Sequence, residues 1–315
     1  MDIIKNLKDV TAIPFIHQPI RDAFSPQLEK HRSDIESVKS RTFKYGSTDR
    51  HKLDVYYPPA DAIPSTGNVP VLYFFYGGGF FEGDRRLAPP YDLVYSNTGA
   101  YFAKRGMLTV ISDYRLVPYA KFPEPVEDMR DAIGWVIANA DEVLADSGIQ
   151  ADFDHVFLMS HSAGSALSST LLLHTTLLPP NVRARIHGVI LQGGAYTFKR
   201  DESTSPDDPV LQLYGSWDSV EANMPAALLR KAPQELLAGF PEVIVFVSER
   251  ELDGFTENSE DFTETLKTKL GRQIPIVKMK DHNHLSPHWA LGTGEGEEWA
   301  DDVTKWIKDN APSAK

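Results

Sequence analysis

The sequence predicts an α/β protein: one mostly parallel central sheet, helices on both of its faces, and a small cap. Three observations carry this expectation. Six short apolar runs of strand length recur along the chain, at residues 71–75, 108–111, 155–159, 188–191, 243–247 and 274–279. Most are apolar at consecutive positions, as strands covered on both faces must be. Segments with helical spacing lie between them, and alternation of strand and helix builds parallel strands into a single sheet.

Taken in order, residues 1–40 carry an apolar stripe at Ile3, Ile4, Leu7 and Val10 and read as an N-terminal helical cap segment. Residues 41–45 and 53–57 suggest an antiparallel pair at the sheet edge, because the second alternates Leu53, Asp54, Val55 and residues 46–50 separate the two. After the strands at 71–75 and 108–111, residues 125–144 place Val126, Met129, Ile133, Val136 and Ile137 at helical spacing, with Pro123 and Pro125 near the start. Residues 163–173, 259–270 and 297–307 read the same way. Residues 197–236, rich in Asp, Ser and Pro, are too long for an ordinary loop and read as an inserted cap or lid. With no internal repeat, residues 1–315 read as a single domain.

Composition narrows the function. The 315 residues hold 32 basic and 44 acidic side chains, a net charge of −12. A nucleic-acid binder needs a basic face to meet phosphates, so no nucleic-acid partner is expected. The chain has no cysteine, which removes disulfides, thiolate nucleophiles and Cys-ligated metal centres. The first ten residues lack the basic and apolar regions of a signal peptide, and no run approaches a membrane span. A cytoplasmic protein without membrane contact is the expectation, and homodimerisation stays open.

The sharpest chemical signal is Ser160-His161-Ser162-Ala163-Gly164, between the strand ending near Met159 and the next helix. A strained strand–turn–helix junction of this kind lifts a hydroxyl above the edge of a sheet, and small neighbours let the two backbones approach. The second signal is Tyr76-Gly77-Gly78-Gly79-Phe80-Phe81, after the strand at 71–75. Consecutive glycines can turn backbone N–H groups toward an oxyanion. The run lacks the Gly-Lys-Ser/Thr of a P-loop and the G-x-G-x-x-G of a dinucleotide fold.

A serine nucleophile needs a base and an orienting acid. Of the ten histidines, the cluster Asp281-His282-Asn283-His284 lies just past the last apolar run, and His284 is the favoured base with His282 as alternate. His161 is expected to point away from the hydroxyl next to it. A metal site at His282 and His284 has no third ligand at a diagnostic spacing. The acid is expected among Glu249, Glu251 and Asp253, after the run at 243–247, which yields the chain order nucleophile, acid, histidine.

On these motifs the chain resembles the α/β-hydrolase superfamily, and within it the hormone-sensitive-lipase-like esterases and kynurenine formamidases. The resemblance runs from about residue 40 to residue 310. It includes Asp113-Tyr114-Arg115-Leu116-Val117-Pro118 with Glu127 and Asp128, similar to the family's D-Y-R-L-A-P segment, which braces the loop below the site. It implies Ser162 as nucleophile, His284 as base and the N–H groups of Gly78, Gly79 and Ala163 as the oxyanion hole. The family's acid, usually Asp, would fall on Glu251, with Asp253 as alternate. Two departures stand out: Tyr76 where the family has His, and Ser160 where the elbow has Gly.

The expected function is a serine hydrolase that cleaves short to medium carboxylic esters through an acyl-enzyme, with no cofactor and no metal. An arylformamidase or amidase with the same triad is the nearest alternative. A non-catalytic receptor on the same fold is the second. Phe80, Phe81, Tyr214, Trp217 and Leu228 are expected as pocket walls.

Overall fold

The computed structural model describes residues 1–7, 12–63, 67–200 and 204–312; Val10 of the predicted N-terminal stripe and residues 201–203 of the inserted segment lie outside these. Eight strands form one sheet: β1 (Ser40–Lys44), β2 (Lys52–Tyr56), β3 (Asn68–Phe75), β4 (Leu108–Ser112), β5 (Gln150–His161), β6 (Ile186–Gln192), β7 (Glu242–Arg250) and β8 (Ile276–Asn283). Their spatial order is β1-β2-β4-β3-β5-β6-β7-β8. β2 pairs antiparallel with both β1 and β4, and the remaining neighbours are parallel. The predicted edge pair and all six strands predicted from apolar runs are present, the last of them, β8, at the opposite edge. This is the α/β-hydrolase fold.

The inner strands are buried on both faces, which is why they read as continuous apolar runs rather than alternating ones. Val71, Leu72, Tyr73, Phe74 and Phe75 of β3 are fully buried, as are Val156, Phe157, Leu158 and Met159 of β5. Burying one such large side chain stabilises the fold by about 1.5–3 kcal/mol.

Three differences from the sequence expectation have physical causes. The segment at 125–144 is two helices, Glu124–Ala138 and Ala140–Leu144, because the Asn139 side chain hydrogen-bonds the carbonyl of Trp135 at 2.7 Å and ends the first. The helix Leu93–Ala103 was not anticipated: nine of its eleven residues are buried, so it shows no polar face and no amphipathic stripe. β7 and β8 run several residues past their apolar stretches, to Arg250 and Asn283, because backbone pairing between Arg250 and Asn283 extends the ladder through polar positions.

Candidate active site

The parallel strands end at one edge, and the residues that follow them converge there. Ser162 is the first residue after β5, Glu251 the first after β7 and His284 the first after β8; the glycine run begins two residues beyond the end of β3. The carboxyl edge of such a sheet is where its loops form a crevice.

Ser162 sits at φ 54° and ψ −122°, a positive φ for a residue with a side chain. The junction that holds it is crowded. A Cβ on Gly164 would lie 2.3 Å from the carbonyl oxygen of Phe75, and one on Gly77 would lie 2.7 Å from Cβ of Ser162. Only glycine at these two positions lets β3, β5 and the helix Ala163–Leu173 meet. Ser160, in place of the elbow glycine, is accommodated: it is fully buried within β5, and its carbonyl accepts from the hydroxyl of Ser165 at 2.7 Å.

The hydroxyl of Ser162 donates to Nε2 of His284 at 2.8 Å. Nδ1–H of His284 donates to Oε1 of Glu251 in a short hydrogen bond. Both His284 and Glu251 are buried. Burial opposes ionisation of the Glu251 carboxyl, but the charge and hydrogen bond of His284 and the N–H of Leu252 together hold it below the ordinary carboxylate range. It also accepts from the N–H of Ser248 at 3.3 Å. The sequence left Glu249, Glu251 and Asp253 open as acids; the structure brings Glu251 to His284, while Asp253 is exposed.

The alternate base is placed elsewhere. His282 is the penultimate residue of β8; its Nδ1 pairs with the hydroxyl of Ser286 at 2.8 Å and its Nε2 with the carbonyl of Gly296 at 2.7 Å. Burial pulls its pKa down to about 4. His161 is closer to the chemistry than the sequence implied. Its Nε2–H donates to the carbonyl of His284 at 2.8 Å, and the two rings lie 4.8 Å apart. Burial, reinforced by His284, lowers its pKa to about 3, so it stays neutral. Nothing in the local sequence marked this contact, because it depends on how the turn at Ser162 packs against the end of β8.

The N–H groups of Gly78, Gly79 and Ala163 donate to no described backbone oxygen, whereas the carbonyl of Gly78 accepts from the N–H groups of Phe81 and Glu82. Tyr76 holds this loop from below. Its hydroxyl donates to Asp113 at 2.7 Å and accepts from Arg50 at 2.9 Å, and its ring stacks on Tyr95 and Tyr114. Beneath it, the guanidinium of Arg115 forks onto the fully buried carboxylate of Asp128, which also meets His51. This is the bracing that the D-Y-R-L segment implied.

A cavity of about 370 Å³ opens on Ser162 and His284, lined also by Gly77, Gly78, Gly79 and His161. Larger grooves, of about 610 and 650 Å³, are lined by none of Ser162, His284 and Glu251. The first turns of the helix Ile13–Lys30 form one wall through Ile13, Pro14, His17 and Arg21, and Phe81, Tyr95, Leu252, Phe255 and Trp289 form others. No described residue of 197–236 lines it. Of the expected walls only Phe81 does: Phe80 is buried behind the glycine loop, Tyr214 stacks on Phe122, and Trp217 and Leu228 pack on the core. Apolar residue type alone does not say which side of an element faces a cavity. Among the described residues no cluster of side chains could hold a metal ion, and no helix is long and apolar enough to cross a membrane.

Comparison with known proteins agrees with this fold. The family model BD-FAE matches residues 53–215. The tuliposide B-converting enzyme 1 of Tulipa gesneriana is 24% identical over 273 residues, covering 80% of this chain and 57% of that protein, so the chain spans a little over half of that relative's length. The kynurenine formamidase of Salmo salar is 24% identical over 77% of this chain and 73% of its own. Among solved structures, an esterase of Rhizomucor miehei superposes with a TM-score of 0.67 at 19% identity, covering 98% of this chain and 95% of its own. An esterase of Pyrobaculum calidifontis does so with a TM-score of 0.66 at 20% identity, over 98% and 96%.

Proposed function

The chain belongs to the BD-FAE family, and from that premise we propose that it is a serine hydrolase of small carboxylic esters. The observation that carries the reading is the continuous hydrogen-bonded line from Ser162 through His284 to Glu251, at the floor of a cavity. Such a line activates a hydroxyl that would otherwise be a weak nucleophile.

Ser162 attacks the ester carbonyl while Nε2 of His284 takes its proton. Glu251 keeps the proton on Nδ1 and stabilises the imidazolium that forms. The tetrahedral oxyanion is met by the N–H groups of Gly78, Gly79 and Ala163, and each such donor contributes on the order of 3 kcal/mol to lowering the barrier. His284 then protonates the leaving alcohol, and water cleaves the acyl-enzyme by the same route reversed. The residues described supply every proton transfer, so the reaction calls for no cofactor. A cavity near the lower end of the usual range for ligand sites suits short to medium acyl groups. The N-terminal helical segment acts as the cap, and the chain's lack of cysteine suits a reducing compartment such as the cytoplasm.

The likeness to a kynurenine formamidase over most of both chains favours one second reading, hydrolysis of an N-formyl amide by the same residues. A fluorophosphonate probe should label Ser162, and turnover of p-nitrophenyl butyrate should exceed that of N-formylkynurenine. Absence of labelling would remove both readings and leave the receptor. Faster turnover of the formamide would select the amidase.

A further inference from the structure

The cavity wall supplied by the helix Ile13–Lys30 carries a charge that the proposed mechanism leaves unused. Ile13, His17 and Arg21 are spaced four apart and so share one helix face, and all three line the cavity with Ser162. The guanidinium carbon of Arg21 lies 4.9 Å from the ring centre of Tyr91 and 5.9 Å from that of Trp289. These rings hold the fork in place without using its N–H donors. Its Nε is sealed from solvent and has no hydrogen-bond partner. Although the chain has 44 acidic residues, no carboxylate among those described stands within ion-pairing distance of Arg21.

We propose that Arg21 is an anion subsite, and that the enzyme's preferred esters carry a second, free carboxylate, as half-esters of short dicarboxylic acids do. This deepens the esterase reading and rests on it. A planar guanidinium fork matches a carboxylate in two parallel hydrogen bonds. With Arg21 the single fixed cation among the described residues that line the cavity, the match is to a monoanion rather than to a phosphate dianion. The neighbouring charges do not cancel it. His17 is held neutral, because burial and the charge of Arg21 both lower its pKa. Glu82 is at the rim, 42% exposed and 3.9 Å from His17, where water screens it. The apolar lining from Ile13, Pro14, Leu87 and Leu285 strengthens whatever charge pairing forms inside.

The test compares kcat/KM for p-nitrophenyl hemiglutarate and p-nitrophenyl butyrate, after subtraction of spontaneous hydrolysis. The wild type should favour the anionic ester, and Arg21→Met should lower the anionic-to-neutral ratio roughly 10- to 100-fold. Arg21→Lys should fall between, since it keeps the charge and loses the fork. A wild-type ratio near one, or a ratio that Arg21→Met leaves in place, overturns the subsite. If neither ester is turned over, the esterase reading has failed separately. Calorimetry with glutarate then decides the subsite alone: binding that Arg21→Met abolishes supports it, and no binding overturns it.

Discussion

Replacing Glu251 by Gln removes the charge that faces His284 while keeping the shape of the side chain. The carboxylate lies buried against Nδ1 of His284, so when His284 takes the proton of Ser162 a full ion pair forms out of reach of water. Two unit charges about 4 Å apart at an effective dielectric constant near 20 attract by about 4 kcal/mol. Loss of that attraction in the transition state corresponds to about 10³ in rate. Folding should suffer less. The amide would turn one acceptor into a donor beside the N–H of Leu252 or Ser248, at a cost of about 1–3 kcal/mol. The assay is kcat on p-nitrophenyl butyrate for Glu251→Gln and for Asp253→Asn, with circular dichroism to show that both variants are folded. Glu251→Gln should lose about three orders of magnitude and Asp253→Asn less than about threefold. If Glu251→Gln kept more than a tenth of wild-type kcat, or if Asp253→Asn fell as far, Glu251 would not be the acid.

Further outcomes follow from the same structure. Ser162→Ala should abolish turnover and probe labelling with an unchanged circular dichroism spectrum, since the hydroxyl is not part of the core. Arg115→Ala leaves the fully buried carboxylate of Asp128 with His51 as its remaining side-chain partner and should cost on the order of 3–5 kcal/mol in a urea titration. Tyr76→Phe removes the hydroxyl that ties the glycine loop to Asp113; a fall in kcat of about tenfold with little change in KM is expected, and a change confined to KM would argue against a role in placing the oxyanion donors. Buried His282 is neutral in the folded state, with a pKa lowered to about 4, and protonates on unfolding near its ordinary 6.5. Its contribution to stability, at most about 3 kcal/mol, is therefore present above pH 6.5 and lost as pH falls toward 4. His282→Gln should flatten denaturant midpoints across that window; an unchanged slope would assign it to other groups.

Much of the site was legible because its parts are local. A serine between small residues at a strand–helix junction, and three glycines after a strand, are short-range patterns that can be read within a few residues of sequence. Burial on both faces writes itself into a strand as an unbroken apolar run, so the sheet could be read from residue types alone. The all-buried helix Leu93–Ala103 escaped for the converse reason: a helix without a polar face leaves no period to detect.

The sequence by itself marked the strands of the sheet, and it pointed to Ser162, the glycine loop and a short choice of acids and bases. Only the tertiary structure decided among those choices. Glu251 rather than Asp253 meets His284, His282 is spent on Ser286 and Gly296, and Arg21, more than a hundred residues from Ser162, lines the same cavity. The physical reason is that periodicity and turn chemistry act over a few residues. Which side chains share one buried space depends instead on how β5, β7, β8 and the N-terminal helix pack, and that packing is a property of the whole chain.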